Sequence, residues 1–348
     1  MFNHSEFEGH EQVTFVRDPA SGLRAIVALH STALGPAFGG CRMRPYASEA
    51  DALADVLRLS AGMTRKAAIC GLPWGGGKSV IIGDPEHAKT PALLRAMGRA
   101  IERLGGRYIV ADDVGITLAD LALMRTETAH TAAATPGAQQ PLAITAYGVL
   151  MAIRAAVRHV FGREQLAGLR VGVQGLGAVG FPLCGYLQGA GAELVVSDLD
   201  PVRIARAESA FGATGVDPET IFEQPVDLLA PCALGGILTE ETIASLRAKI
   251  VCGGANNQLA KGDHAALLAA RGCLYVPDYL ANAGGVIDFH QERVDDRPEA
   301  VMRAVGRIFP VTLDLLEQAH ATGRTPLAVA EEIVTRRLAA ARASRPAA

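Results

Sequence analysis

From Leu169 to Pro277 the chain alternates short apolar segments with stretches of helical length, and this rhythm constrains the fold more than any other feature. LRVGV, ELVVSD, VDLLAP, KIVCG and CLYVP have the length and β-branched content of buried strands, with helices after Gly177 and from Pro201, Thr239 and Asp263. Parallel strands need a crossover, usually a helix, so the alternation predicts a parallel sheet wrapped on both faces. Inside it, Val171–Gly180 reads VGVQGLGAVG, a GxGxxG between a strand and a helix. Alone the pattern is weak in a chain with 38 glycines; the strand–turn–helix setting gives it meaning. Gly175 permits the tight turn, Gly177 lets a pyrophosphate approach the backbone, and Gly180 lets the helix pack on the strand. Asp198 ends the second strand, where its carboxylate can accept from a ribose 2′-hydroxyl and repel a 2′-phosphate. No arginine follows immediately, so the pattern favours NAD over NADP.

The first third mixes element types. Strands are predicted at Val13–Val16 and Arg24–His30. A helix starts at Ser48, where Ser48 and Asp51 form a capping-box-like pair; Leu53, Val56, Leu57, Ser60, Ala61 and Thr64 share one face, and Lys66 closes it. A glycine-rich turn at Gly75–Gly77 leads into a strand at Ser79–Ile82, followed by a helix at about Ala92–Leu104 and a strand at Arg107–Ala111. Thr131–Ala143, with two prolines and no charge, reads as an exposed connection between domains. About Ala300–Ala341 reads as two helices. A chain of 348 residues, at roughly 150 per domain, is long enough for two cores.

Thirty-three basic and thirty-six acidic side chains give a formal net charge of −3, too little of either sign for a nucleic-acid groove or a polybasic membrane patch. The expected partner is a small molecule. The six cysteines lack CxxC pairing and read as reduced core thiols, and the nine histidines show no metal-ligand spacing, so no metal is expected. The polar, acidic N-terminus has no signal-peptide pattern and no apolar run nears the ~18 residues of a membrane span; the expected compartment is cytoplasmic.

Between Lys66 and Asp84 the only charged side chain is Lys78, after three glycines in LPWGGGKSVIIG. Burial without a partner disfavours its charged form and would make it a usable base, while the glycines let a substrate or water come close. A lysine snorkelling at a strand edge fits the same residues. A phosphate-binding GKS loop does not, because Leu72 stands where its first glycine is required and a β-branched run follows. Asp112 and Asp113 end the strand YIVADDVG; adjacent strand side chains point to opposite faces, so at most one enters a site, and a helix cap or solvated turn is an equal alternative.

The order of LGPAFGGCRM, GMTRKAA, GGGKSVIIGDP, ADDVG, TAYG, QGLGAVG, APCALGG, GANNQL and PDYLANAGGVI resembles the Glu/Leu/Phe/Val amino-acid dehydrogenase family over nearly the whole chain, with leucine dehydrogenases nearest. The resemblance implies a two-domain α/β fold. A mixed-sheet domain at 1–140 binds substrate and oligomerises, a Rossmann NAD-binding domain spans 141–322, and C-terminal helices at 323–348 return to the first domain. It implies catalysis in the cleft between them: reversible NAD-dependent oxidative deamination of a hydrophobic L-amino acid to the 2-oxo acid and ammonium, in a homo-oligomer.

By motif match, Lys78 activates water and Asp113 passes protons to and from the amino group, while Lys66 with Gly39 and Gly40 holds the substrate carboxylate. Phe38, Ala111, Val286 and Phe289 surround the substrate side chain. Thr145 and Asn256 or Asn257 fall near the nicotinamide and its ribose, Asn257 being assigned to substrate and Asn256 to cofactor. The phosphate loop comprises Gly175, Leu176, Gly177, Ala178, Val179 and Gly180. Four uncharged pocket residues argue against glutamate, whose second carboxylate would be buried without a partner. Phe38 and Phe289 replace the aliphatic residues of leucine-selective relatives; they shrink the pocket towards leucine, valine or isoleucine, with an aromatic substrate as the alternative. An NAD-binding sensor without catalysis is the rival from another class, opposed by the full set of reactive groups.

Overall fold

The computed structural model describes residues 2–132 and 142–344. The chain divides into two compact units, Met1–Gln139 with Val334–Ala348, and Gln140–Ile333. Of the expected connection Thr131–Ala143, residues 133–141 lie outside the described residues. Thr131 is buried and bridges Val110, so the connection is not exposed at its start.

The first unit contains β1 (Gln12–Asp18), β2 (Leu23–Ser31), β3 (Ala37–Arg44), α1 (Glu49–Ile69), β4 (Gly75–Ile82), α2 (Pro91–Glu102), β5 (Tyr108–Ala111) and α3 (Leu118–Arg125). The sheet order is β1-β2-β4-β3-β5, antiparallel from β1 to β4 and parallel from β4 to β5. β2 is apolar at successive positions because both its faces are covered. Leu23, Ala25, Val27 and Leu29 share a core with Leu93, Met97 and Ile101 of α2 and with Leu121 and Met124 of α3. Ile26 and Ala28, with Val80 of β4, pack on Ala52, Val56 and Leu57 of α1. Ser48 caps α1 by accepting from the Asp51 N–H, and the helix runs past Lys66 to Ile69.

The three glycines before Lys78 are not a turn. They are the first residues of β4, and close packing explains them: a β-carbon on Gly76 would collide with Thr64 of α1, and one on Gly77 would lie 2.8 Å from the Tyr108 ring.

The second unit opens with α4 (Leu142–Phe161) and continues β6 (Arg170–Gln174), α5 (Gly180–Gly189), β7 (Glu193–Ser197), α6 (Pro201–Phe211), β8 (Thr214–Gly215), β9 (Leu228–Pro231), α7 (Glu240–Ser245), β10 (Ile250–Val251), α8 (His264–Ala270) and β11 (Leu274–Tyr275). Its six-stranded sheet has the order β11-β10-β9-β6-β7-β8, parallel throughout. The order reverses between β6 and β9, the crevice where doubly wound sheets bind nucleotides, and the glycine loop leaves β6 there. β8 escaped the sequence because two residues, one of them glycine, carry no periodicity.

The remainder is α9 (Asp278–Ala281), α10 (Gly284–Gln291), α11 (Pro298–Gly306), α12 (Ile308–Thr322) and α13 (Pro326–Ala343). Three helices therefore replace the two expected after Ala300. Pro310 cannot donate to the Gly306 carbonyl, and its ring crowds that group, so the helical run breaks at Arg307. The first unit takes the chain back at Val334, inside α13, rather than at 323; Arg337 there donates to the carbonyls of Ala68 and Ile69. The absence of a span-length apolar run also needs correction. Ile144–Phe161 has the length and mean hydropathy of one, but the helix packs on α5, α10, α11 and α12 and is 56% buried, as a core helix is.

Candidate active site

Phe38, Gly40 and Arg42 alternate along β3 and share a face, as do Gly76, Lys78 and Val80 along β4. This is the face that α1 covers, which brings Arg42 beside Asp55 of α1 and Lys78 beside Asp113, just past β5. Lys78 is 6% exposed, and its Nζ lies 2.9 Å from Asp113 Oδ2. The lone lysine of the sequence is thus partnered in space: the uncharged stretch around it says nothing about β5, and burial of an ammonium demands a counter-charge.

Arg42 donates from Nε to the same Asp113 oxygen at 2.8 Å and from Nη1 to Asp55 Oδ2 at 3.0 Å. Asp55 also accepts from Tyr46 Oη at 2.8 Å and from Arg58 Nη2 at 3.1 Å. Burial alone would raise the Asp113 carboxyl, but the adjacent Lys78 and Arg42 charges outweigh it and hold the group below the usual carboxylate range. Asp112 is exposed, so one carboxylate of the pair turns inward, as the strand geometry requires.

Gly39 and Gly40 floor this cluster. A β-carbon on Gly40 would lie 2.5 Å from the Asp112 carbonyl, 2.7 Å from Asp113 Cβ and 3.1 Å from Lys78 Nζ; one on Gly39 would strike the Gly77 carbonyl. The β3–β4 ladder pairs Phe38 with Gly76 and resumes at Cys41 and Ser79, skipping both glycines. Tyr108 fills the interruption from the other face, its hydroxyl donating to the Gly39 carbonyl at 2.8 Å and lying 3.2 Å from Ser79 Oγ. Lys66 is half-buried on α1, two residues beyond the Thr64 that packs on Gly76. Phe38 is buried with its ring centre 6.1 Å from that of Trp74, and Ala111, half-buried, pairs with Gly40.

In the second unit the three loop glycines do three different things. Gly175 has φ +89° and abuts Ala233; a β-carbon on Gly180 would run into the Gly175 carbonyl; Gly177 faces open space, its nearest neighbour being Arg203 Nη1 at 3.9 Å. α5 begins at Gly180 with no side-chain cap; Pro182 has no N–H and the Phe181 and Leu183 N–H groups donate to the Gly177 and Val179 carbonyls, so an anion would meet the N–H groups of the preceding loop rather than those of the first helical turn. Leu176 turns its side chain inward and donates its N–H to Asp198 Oδ2 at 2.7 Å; Ala178 is exposed and Val179 half-buried.

Asp198 Oδ1 accepts from the Asp200 N–H at 2.9 Å. Burial would raise this carboxyl, but the two N–H donors and Arg203 hold it low. Arg203 Nη1 lies 3.6 Å from Asp198 Oδ2, one helical turn into α6, so an arginine does reach the carboxylate although none follows it immediately. Gln174 Oε1 and Ser197 Oγ, at the ends of β6 and β7, are buried without a hydrogen-bond partner among the described residues. An open glycine, an anchored carboxylate and two orphaned polar atoms at the strand reversal fit a dinucleotide.

Thr145 of α4 has its Oγ1 3.4 Å from where a Gly285 β-carbon would stand. Asn256 Oδ1 accepts from Asn282 Nδ2 at 2.8 Å, and Asn257 next to it holds a left-handed φ of 52°. Val286 and Phe289 are buried on α10, and the guanidinium of Arg293 sits 3.6 Å from the Phe289 ring centre, a charge that the four apolar residues did not announce. The expected side-chain contacts are thus divided, Phe38 and Ala111 in one unit and Val286 and Phe289 in the other.

Arg42, Asp55, Tyr46, Tyr108, Arg203 and Asn282 were missed from sequence. Only Arg42 had a signal, its parity with Phe38 and Gly40 on one strand.

A buried lysine–carboxylate pair over a glycine floor, with a Rossmann-type nucleotide crevice in a second unit, defines an oxidoreductase of the two-domain dehydrogenase class. Residues 10–130 match the Glu/Leu/Phe/Val dehydrogenase dimerisation domain, and residues 202–303 match the Glutamate/Leucine/Phenylalanine/Valine dehydrogenase domain. Leucine dehydrogenase of Geobacillus stearothermophilus is 46% identical over 89% of this chain and 85% of its own length. Valine dehydrogenase of Streptomyces coelicolor is 45% identical over 97% and 95%. The crystal structure of L-tryptophan dehydrogenase from Nostoc punctiforme superposes with a TM-score of 0.82, at 42% identity, over 96% of this chain and 97% of that one. The chain belongs to the Glu/Leu/Phe/Val dehydrogenase family and is an amino-acid dehydrogenase.

Proposed function

We propose that the enzyme interconverts a hydrophobic L-amino acid, NAD and water with the 2-oxo acid, ammonium, NADH and a proton, favouring leucine, valine and isoleucine. The observation that carries this reading is the Lys78–Asp113 pair at 2.9 Å beside Gly40, where nothing larger than glycine fits. NAD, held by the Gly175–Gly180 loop, Asp198, Thr145 and Asn256, supplies the hydride acceptor. Lys66 and the backbone at Gly39 and Gly40 hold the substrate carboxylate, and Asn257 assists from the second unit. Asp113, whose Oδ2 is committed to Lys78 and Arg42, uses Oδ1 to take and return protons of the amino group. Lys78, neutral when it acts, removes a proton from the water that adds to the imino carbon.

The names of the leucine and valine dehydrogenase relatives and the apolar Phe38, Ala111, Val286 and Phe289 support an aliphatic substrate. The tryptophan dehydrogenase relative, together with the Phe38 and Trp74 rings, favours an aromatic one as the second reading. The match of residues 10–130 to a dimerisation domain supports a homo-oligomer built through the first unit, which light scattering on the purified protein would test.

The deciding assay mixes the protein with NAD or NADP and a panel of L-amino acids at alkaline pH and follows reduced cofactor by absorbance. Fastest turnover with leucine, valine or isoleucine and NAD is expected. Preference for tryptophan or phenylalanine would overturn the aliphatic assignment, and silence throughout would leave only cofactor binding.

A further inference from the structure

Asp113 Oδ2 accepts two cationic donors at once, Lys78 Nζ at 2.9 Å and Arg42 Nε at 2.8 Å, and Arg42 continues to Asp55, which Arg58 and Tyr46 also contact. We propose that Arg42 is a positioning residue for proton transfer: its permanent charge keeps Asp113 ionised when Lys78 gives up its proton, so that the proton leaves the pair instead of passing to Asp113. The inference rests on the catalytic assignment of Lys78 and Asp113 made above.

The physical argument begins with the pair alone. A neutral Lys78 would leave Asp113 a buried carboxylate without a counter-charge, and such a group recaptures the proton. The proton would then shuttle inside the pair, and neither the neutral amine nor the ionised carboxylate would be available together. Arg42 removes this trap because its guanidinium does not deprotonate. Burial works against the Arg42 charge, but Asp113 and Asp55 more than compensate and raise its affinity for the proton. Both nitrogens touch one oxygen and so lie within about 6 Å of each other, where the fixed positive charge disfavours a proton retained within the pair.

The other ionisable groups around the cluster do not offset this. Cys41, on the opposite face of β3, is pushed up to about 12 by burial, and burial holds Tyr108 well above its ordinary value, so both stay neutral. Asp112, whose carboxyl is raised by burial, adds negative charge beside Asp113, and Asp120 of α3 is paired with Lys89 at 2.8 Å. Asp55 moderates the guanidinium, and Arg58, with a side chain 52% exposed, ends the chain of contacts at solvent.

The test is the pH profile of kcat/KM for amino-acid oxidation in the full-length enzyme, with NADH binding by fluorescence and a thermal melt as folding controls. Arg42→Met is expected to move the acidic limb upward by about one pH unit or more, a roughly tenfold loss below the limb that raising the pH restores. Arg42→Lys keeps the charge and is expected to hold the limb near its original place. Asp55→Asn keeps hydrogen-bonding atoms but removes a negative charge, so its limb is expected to move the opposite way, to lower pH. An equal loss at every pH in Arg42→Met, with no displaced limb, would assign Arg42 to packing and overturn the proposal. If Arg42→Met does not fold, an unmoved or raised limb in Asp55→Asn overturns it instead. Lys78→Ala, assayed in parallel, separates the two levels. Normal turnover there removes the catalytic assignment and this inference with it, whereas loss of turnover combined with an unmoved limb removes the inference alone.

Discussion

Lys78 Nζ and Asp113 Oδ2 stand 2.9 Å apart although they come from different parts of the first unit, one in mid-strand on β4 and the other just past the end of β5. General acid–base groups contribute about a hundredfold to ten-thousandfold, so Lys78→Ala is expected to lower kcat by that range. NADH affinity should stay within about threefold, because the glycine loop and Asp198 belong to the other unit. The stability loss should fall short of the roughly 3–5 kcal/mol of a buried pair broken outright, since Arg42 still covers Asp113. Steady-state kinetics and a fluorescence titration check both halves; near-normal kcat would remove Lys78 from the chemistry.

Gly40 tests the floor of the site separately from its reactive groups. An added methyl would press on the Asp112 carbonyl and Asp113 Cβ and meet Lys78 Nζ at 3.1 Å, and the two backbone-linked neighbours cannot swing away. Gly40→Ala is therefore expected to lower kcat/KM about a hundredfold or more through misplacement of the pair. Its cost in stability should be about 1–3 kcal/mol, as for overpacked cores. The comparison to make is Gly62→Ala inside α1, where no described atom lies within 4 Å of the added carbon: kcat/KM should hardly change and stability should rise by about 0.5–1 kcal/mol through helix propensity. Equal effects at the two glycines would show that Gly40 is not part of the site.

Much of the architecture was legible because it rests on local periodicity. The parallel sheet of the second unit followed from five apolar segments and the helices between them, and Ser48 announced the start of α1 through a cap that the structure contains. What the sequence hid depends on contacts between distant segments. The glycines at 75–77 have a turn's composition, yet they serve a strand pressed against Thr64 and Tyr108, which lie on other elements. Lys78 looked solitary because its counter-charge arrives from beyond β5, and Arg42 drew no reading because only pairing of β3 beside β4 aims it at Asp113. Arg203 went unseen beside Asp198 because helical geometry returns it towards that carboxylate.

At the proposed nucleotide site, that arginine makes cofactor choice a balance of two side chains. Asp198 disfavours a 2′-phosphate, while Arg203, 3.6 Å from it, offers that phosphate a partner. Arg203→Gln is expected to leave the KM for NAD within about threefold and to weaken NADP about tenfold. Asp198→Asn, with the arginine retained, should tighten NADP about tenfold and weaken NAD as the ribose loses a charged acceptor. Binding titrations with NADH and NADPH give the two ratios without reference to turnover. Opposite displacement of the ratios in the two variants is the expected pattern; displacement in one direction by both would show that Arg203 does not face the phosphate position.

Asp288 of α10 supplies a prediction about stability. It is buried, and that burial, with Glu292 one turn on, pushes its carboxyl up to about 7. An unfolded chain releases the same proton near pH 4. Between these two values the folded protein holds a proton that the unfolded chain has lost, so this group's contribution falls as pH rises from about 4 to 7 and is level above that. Asp288→Asn cannot ionise and should be spared the loss. Its Tm is expected to match the parent near pH 4 and to exceed it at pH 8 by a few degrees, on the order of 2 kcal/mol. Melting curves of the two proteins across that interval provide the check, and a Tm difference that does not vary with pH would mean that Asp288 ionises in the fold as it does in water.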